Sequence, residues 1–164
     1  MTVRKSVLFI YPHSDPLNPS GSGGQNRLHH IIKEISKTRD TIVLAPEDEI
    51  SDSDTIAYRT YQRKTPGFAS DLDYSLAREL ARVLRSEVID IIHIPYPSGV
   101  ILSRFVARLS GPSTKIVLDA HDVMSERVQQ FDNENLGTIS KYVRQFYVPT
   151  LESNATRVAD HVIT

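Results

Sequence analysis

The sequence predicts an α/β fold: a doubly wound parallel sheet with helices on both faces. Three observations carry this. The strand-like runs "VLFIY", "TIVLA", "DIIHIP" and "KIVLD" are continuously apolar, as in strands buried on both faces. The segments between them place apolar residues at helical spacing. Strands and helices alternate along most of the chain, a pattern that parallel sheets with crossover helices produce.

Val7–Tyr11 is the first buried strand. The loop from Pro12 to Gly24 is too rich in proline and glycine to be regular. Leu28, Ile31, Ile32 and Ile35 then fall at i, i+3, i+4 and i+7 on one helical face. Thr41–Ala45 is the next buried strand, stopped by Pro46; Glu47–Asp54 reads as an acidic loop and Ile56–Tyr61 as a weaker strand at an edge. Leu76, Leu80, Val83 and Leu84 form the stripe of an amphipathic helix whose start Asp71 or Asp73 can cap. Asp90–Pro95 is another buried strand. Ile101, Leu102, Phe105, Val106 and Leu109 are the expected inner face of the next helix, which Gly111-Pro112 ends. Lys115–Val123 is a strand. Residues 138–158 read as a helix with Ile139, Val143, Phe146, Leu151 and Val158 inward, kinked or divided at Pro149. The final "DHVIT" begins one more strand.

At 164 residues and 40% hydrophobic content the chain suffices for one domain with its own core. Nineteen basic residues against 20 acidic give a net charge of -1. That balance gives no global attraction to nucleic acid, and leaves a local basic patch open. The absence of cysteine excludes disulfides and thiolate metal sites. The apolar run at Val7–Tyr11 is too short for a signal peptide, and nothing approaches the roughly 20 apolar residues of a membrane span. The expectation is a cytoplasmic domain, with attachment to a membrane surface through a missing region left open.

In a doubly wound sheet ligands bind outside the carboxyl ends of the strands. The residues following the strands are His13, Ser14 and Asp15; Tyr96, Pro97 and Ser98; and Ala120, His121 and Asp122. They are expected to share one cleft. The glycine loop "PSGSGGQNR" fits neither the dinucleotide fingerprint nor a P-loop, since no third glycine and no Gly-Lys-Ser/Thr is in place. It leaves Gly23-Gly24 at a helix N-terminus, where free backbone N–H groups favour an anion; the alternative is a flexible loop with a helix start. Asp52–Asp54 and Asp71–Asp73 both fit a D-x-D metal pattern but read as loop and cap, so no metal is expected. Neighbours His29 and His30 diverge around a helix and are poor chelators of one ion. His93, inside a strand, reads as a core residue. His121, flanked by Asp119 and Asp122 after a strand, is balanced between functional and structural roles.

Together these pieces resemble the N-terminal domain of GT-B glycosyltransferases, the family 4-like retaining enzymes. The matching segments are "VLFIYPHSDPLNPSGSGGQNRLHHIIKEIS", "DIIH", "KIVLDAHD" and "VADHVIT", which cover nearly the whole chain in order. The resemblance implies that residues 1–164 are a single Rossmann-like domain, the acceptor-binding half of a longer two-domain protein. The activity implied is transfer of a sugar from a nucleotide sugar to an acceptor hydroxyl with retention, with no cofactor beyond that donor substrate. It further implies that Gly23 and Gly24 lie beside the donor diphosphate and that His121 faces the reacting sugar as the catalytic residue. His13, Asp15, Tyr96, Ser98 and Asp122 are then acceptor-side candidates. The implied partners are a missing C-terminal donor-binding domain, a nucleotide sugar, and a glycan, lipid or small-molecule acceptor, with no nucleic acid. The fragment alone is expected to be inactive. The loop before Gly23 is longer and richer in proline than the family pattern, and the polar segment 122–136 reads as an acceptor loop. Two other readings compete: a non-catalytic module holding a glycan or nucleotide sugar, and a flavodoxin-like or receiver domain. The latter expects an acidic cluster after strand one, which His13 and Asp15 fit poorly.

Overall fold

The computed structural model describes residues 5–13, 23–47, 56–111, 113–120 and 146–164. Six strands form one sheet: β1 (Ser6–Ile10), β2 (Asp40–Pro46), β3 (Ala57–Tyr61), β4 (Ile91–Ile94), β5 (Lys115–Asp119) and β6 (His161–Ile163). Their spatial order is β3-β2-β1-β4-β5-β6, and every pairing is parallel. The helices among the described residues are α1 (Gly23–Ser36), α2 (Tyr74–Ser86), α3 (Val100–Ser110) and α4 (Val148–Val158), with a 3₁₀ segment at Gly67–Leu72 before α2. This is the Rossmann-like, doubly wound architecture that the alternation predicts.

Period-two alternation divides each strand between the two faces. Leu8, Ile10, Ile42, Leu44, Ile92, Ile94, Ile116 and Leu118 point toward Leu76, Leu80, Val83 and Leu84 of α2, with Val100, Val106 and Ala107 of α3 and Ala155 of α4 in the same cluster. Val7, Phe9, Tyr11, Val43 and Ala45 point the other way, onto Leu28 and Ile32 of α1. Truncating a fully buried side chain such as Leu80 or Ile92 to alanine is expected to cost about 2–5 kcal/mol. β3 lies at one edge, as its weaker pattern suggests, and β6 at the other, with His161 exposed at its start.

The starts of α2 and α3 are set by aspartates. Asp73 caps α2, its Oδ1 accepting from the backbone N–H groups of Ser75 (2.9 Å) and Leu76 (3.3 Å). Asp71 serves a different helix. It accepts from the N–H of Leu102 at 2.9 Å, and so caps α3 from outside that helix. The helix's own N-cap residue is Gly99, which has no side chain to do this; its φ of 92° needs glycine. Gly111, also left-handed at φ 86°, ends α3 as expected. Pro149 stands in the first turn of α4, directly after a π-helical turn at Phe146 and Tyr147, so the helical backbone changes type at the proline.

Two expectations about helix faces are corrected. In α3 the buried residues are Val100, Ser103, Val106 and Ala107, whereas Phe105 and Leu109 are 61% and 73% exposed. The helix is apolar on nearly all sides, so periodicity alone does not choose a face. Its close packing on α2, α4 and β5 favours the side carrying small residues. Phe146, expected inward, is exposed just before α4.

Candidate functional site

The sheet order reverses direction at β1. The chain leaves β1 for β2 on one side, and later returns to β4 on the other. Such a switch point opens a crevice at the carboxyl ends of the two strands. Tyr11, Pro12 and His13 follow β1 there, and Pro95 to Gly99 follow β4 and lead into α3.

Three of the expected residues, His13, Tyr96 and Ser98, meet in this crevice. His13 Nε2 and Ser98 Oγ share a hydrogen bond of 3.2 Å across 85 positions of sequence. Tyr96 packs edge-on against the His13 ring with centroids 5.0 Å apart, and Tyr11 lies 5.8 Å from His13 and 5.9 Å from Tyr96. Arg63, which follows β3, donates from Nη1 to the His13 carbonyl at 2.9 Å. Burial, and then the Arg63 charge, lower the His13 pKa to about 4. The imidazole is therefore neutral at pH 7. Ser98 is fully buried, so its hydroxyl anchors His13 and is not placed to act as a nucleophile.

Gly23 and Gly24 open α1, as expected, and α1 has no acidic residue in its first turn. Among the described residues, a Cβ built at Gly23 meets nothing within 4 Å. One turn on, Arg27 reaches over β4 to the end of β5. Its Nη2 lies 3.0 Å from Asp119 Oδ1, and its Nε 3.4 Å from Asp119 Oδ2. The Asp119 side chain is 2% exposed and that of Arg27 is 45% exposed. His93 Nε2 stands 3.9 Å from Asp119 Oδ2, and its ring packs on Phe9 at 4.9 Å. Strand alternation puts Phe9, His93 and Asp119 on the α1 side of the sheet, and the register pairs Phe9 with His93 and His93 with Val117. His93 is the core residue that the sequence suggests.

Arg27, Arg63 and the role of Asp119 escape sequence reasoning. The one available signal for Arg27 is its position, a single helical turn after the glycine pair. Asp15, His121, Asp122 and the Asp52–Asp54 motif lie outside the described residues. Asp71 and Asp73 are both used as caps, and among the described residues no three metal-ligating side chains cluster. No helix among the described residues is long and apolar enough to cross a membrane. A hollow of about 470 Å³ lies at the opposite, amino edge of the sheet; the Arg59–Glu87 pair (3.4 Å) lines it together with Ser6, Arg39 and Thr41.

No protein-family model and no curated protein sequence matches the chain. Among solved structures it is similar to a sucrose-phosphate synthase from Thermosynechococcus elongatus, with TM-score 0.64 and 13% identity, over 97% of this chain and 42% of that one. It is also similar to HepE from Anabaena, solved in complex with UDP and glucose, with TM-score 0.56 and 16% identity, over 95% of this chain and 37% of that one. The chain thus spans about two fifths of these proteins, and what it shares with them is their Rossmann-like fold.

Proposed function

We propose that this chain is the N-terminal, acceptor-side domain of a glycosyltransferase that moves a sugar from a nucleotide-sugar donor to an acceptor hydroxyl with retention. The observation that carries the reading is the switch-point crevice. Beside it stand the glycine-started N-terminus of α1 and the His13–Tyr96 pair, in a fold shared with a protein solved in complex with UDP and glucose.

Each suits one part of the reaction. The first-turn N–H groups of α1, reached across Gly23 and Gly24, stabilise negative charge that grows on a departing diphosphate. An aromatic ring beside a neutral imidazole offers stacking and hydrogen bonding to an uncharged polyol, which fits an acceptor sugar at His13 and Tyr96, with buried Ser98 holding the imidazole from behind. Asp15 and Asp122 are assigned to the same acceptor side, and His121 to the reacting sugar. A second domain supplies most of the donor contacts, so residues 1–164 alone are expected to be inactive: misplacing reacting groups by about 1 Å already costs roughly a hundredfold. The reaction requires no cofactor beyond the donor.

The test is sugar transfer from a panel of nucleotide sugars by the protein together with any sequence its gene continues after Thr164. His121→Ala is expected to lower turnover with little change in donor affinity. Wild-type rates in the folded variant would remove His121 from the site, and transfer by residues 1–164 alone would defeat the two-domain reading. Saturable glycan binding without transfer would favour the non-catalytic module.

A further inference from the structure

Helices α2 and α3 pack side by side on one face of the sheet, and their outward surfaces form one continuous layer. Together they contain five arginines and a single carboxylate, Glu79, which is buried and paired with Arg82. Tyr74, Arg78 and Arg85 lie along the exposed stripe of α2, and Phe105, Arg108 and Leu109 along that of α3. No carboxylate among the described residues pairs with Arg78, Arg85 or Arg108. Tyr74, Phe105 and Leu109 are each more than 60% exposed. The chain as a whole is nearly neutral, so this positive layer is a local feature.

We propose that the α2–α3 layer is a docking surface for a bilayer with anionic headgroups. Three unpaired guanidiniums select negative charge, and each basic group near an anionic leaflet contributes attraction that falls off within a Debye length. A purely electrostatic partner such as nucleic acid leaves the aromatic and leucine side chains unexplained. Phe105 and Leu109, one helical turn apart on a helix lying in the interface plane, are placed to enter the boundary between headgroups and acyl chains. The long arginine side chains reach past them to the phosphates. The proposal is independent of the transferase reading, because none of these residues lies in the crevice.

The experiment is co-sedimentation of the chain with phosphatidylcholine vesicles, with and without about one third phosphatidylglycerol. Wild type is expected to pellet with the anionic vesicles, less so as salt rises, and to stay in solution with phosphatidylcholine alone. The triple substitution Arg78→Gln/Arg85→Gln/Arg108→Gln is expected to weaken binding roughly a hundredfold, and each single change about fivefold. Phe105→Ser/Leu109→Ser is expected to weaken it severalfold, by removing insertion while keeping the charge. A charge-matched control on other surfaces, Lys33→Gln/Lys37→Gln/Arg39→Gln, is expected to bind as wild type. Melting curves establish that each variant is folded, and the single arginine changes serve if the triple variant is not. A wild type that ignores anionic vesicles, or an arginine triple that binds them normally, overturns the proposal. Unchanged vesicle binding in the serine pair overturns it in favour of a soluble polyanion, as does an equal loss in the control.

Discussion

The guanidinium of Arg27 and the carboxylate of Asp119 lock the first turns of α1 to the end of β5, two strands away from the strand that precedes α1. The acid is almost wholly buried, and the base is half in solvent. Removing the base takes a guanidinium away from a buried carboxylate, which costs more than losing an exposed pair. Arg27→Met is expected to lower stability by about 2 kcal/mol, less than for a wholly buried pair because solvent screens the guanidinium. Adding Asp119→Asn should restore part of the loss. Urea denaturation of both single variants and the double variant measures the coupling, and strictly additive losses would show that the bridge holds nothing.

His13 makes stability depend on pH. Its folded pKa of about 4 lies below the ordinary value of 6.5, so between these values the unfolded chain binds the extra proton. The contribution is complete above pH 6.5 and is lost as pH falls toward 4, by up to about 3 kcal/mol. In His13→Gln the slope across this window should flatten. Unfolding free energies at several pH values between the two limits test this, and a slope identical to wild type would show that His13 does not set it.

Asp73 ties the chain before α2 to the helix itself. Its Oδ2 accepts from the N–H groups of Lys64 (2.7 Å) and Thr65 (3.0 Å) while Oδ1 caps the helix. Burial pushes its pKa up, but the backbone N–H groups of Lys64, Thr65, Leu76 and Ser75 outweigh that and hold it below the usual carboxylate value. Its contribution is therefore present above the unfolded value of 3.8 and is lost as pH falls through the lower folded value. Asp73→Ala is expected to cost about 2 kcal/mol or more, since cap and loop contacts go together. Thermal melts at pH 7 check it, and a change under half that size would mean that water replaces the carboxylate.

Asp71 behaves in the opposite sense. Burial raises its pKa, against the lowering effect of the Leu102, Gly99 and Ile101 backbone groups. Folding thus favours its protonated form, and its contribution weakens as pH rises through the raised value. Asp71→Asn keeps an acceptor for these N–H groups, so a change within about 1 kcal/mol is expected at pH 7. Asp71→Ala leaves the first N–H groups of α3 without a cap and should cost about 1–2 kcal/mol. Equal losses in the two variants, compared by urea denaturation at pH 7, would show that an amide oxygen cannot replace the carboxyl group as the cap.

Gly23→Ala separates folding from binding. The added methyl meets no atom of the described residues within 4 Å, and alanine suits a helix better than glycine, so stability should hold or rise by about 0.5 kcal/mol. If a diphosphate approaches the backbone there, the same methyl should weaken nucleotide-sugar use several-fold. Kinetics of the transferring protein decide it, and unchanged KM and kcat would move the phosphate away from Gly23.

The sequence by itself determined the elements and their class. Runs such as Val7–Ile10 and Ile116–Leu118 are apolar on both sides of the pleat, and only a covered parallel sheet satisfies both faces. Gly23-Gly24 before Leu28 and Ile32 marks a helix start, and Asp73 marks another. Tertiary structure alone decided which distant residues meet. No local pattern joins His13 to Ser98 or Arg27 to Asp119, because those contacts depend on strand order, and chain spacing does not encode it. It also decided how α3 is turned. The helix offers apolar residues on nearly every side, and its rotation follows from Asp71 holding its first turn and from Ser103 and Ala107 allowing close approach beneath it. Phe105 and Leu109 were thereby left facing outward.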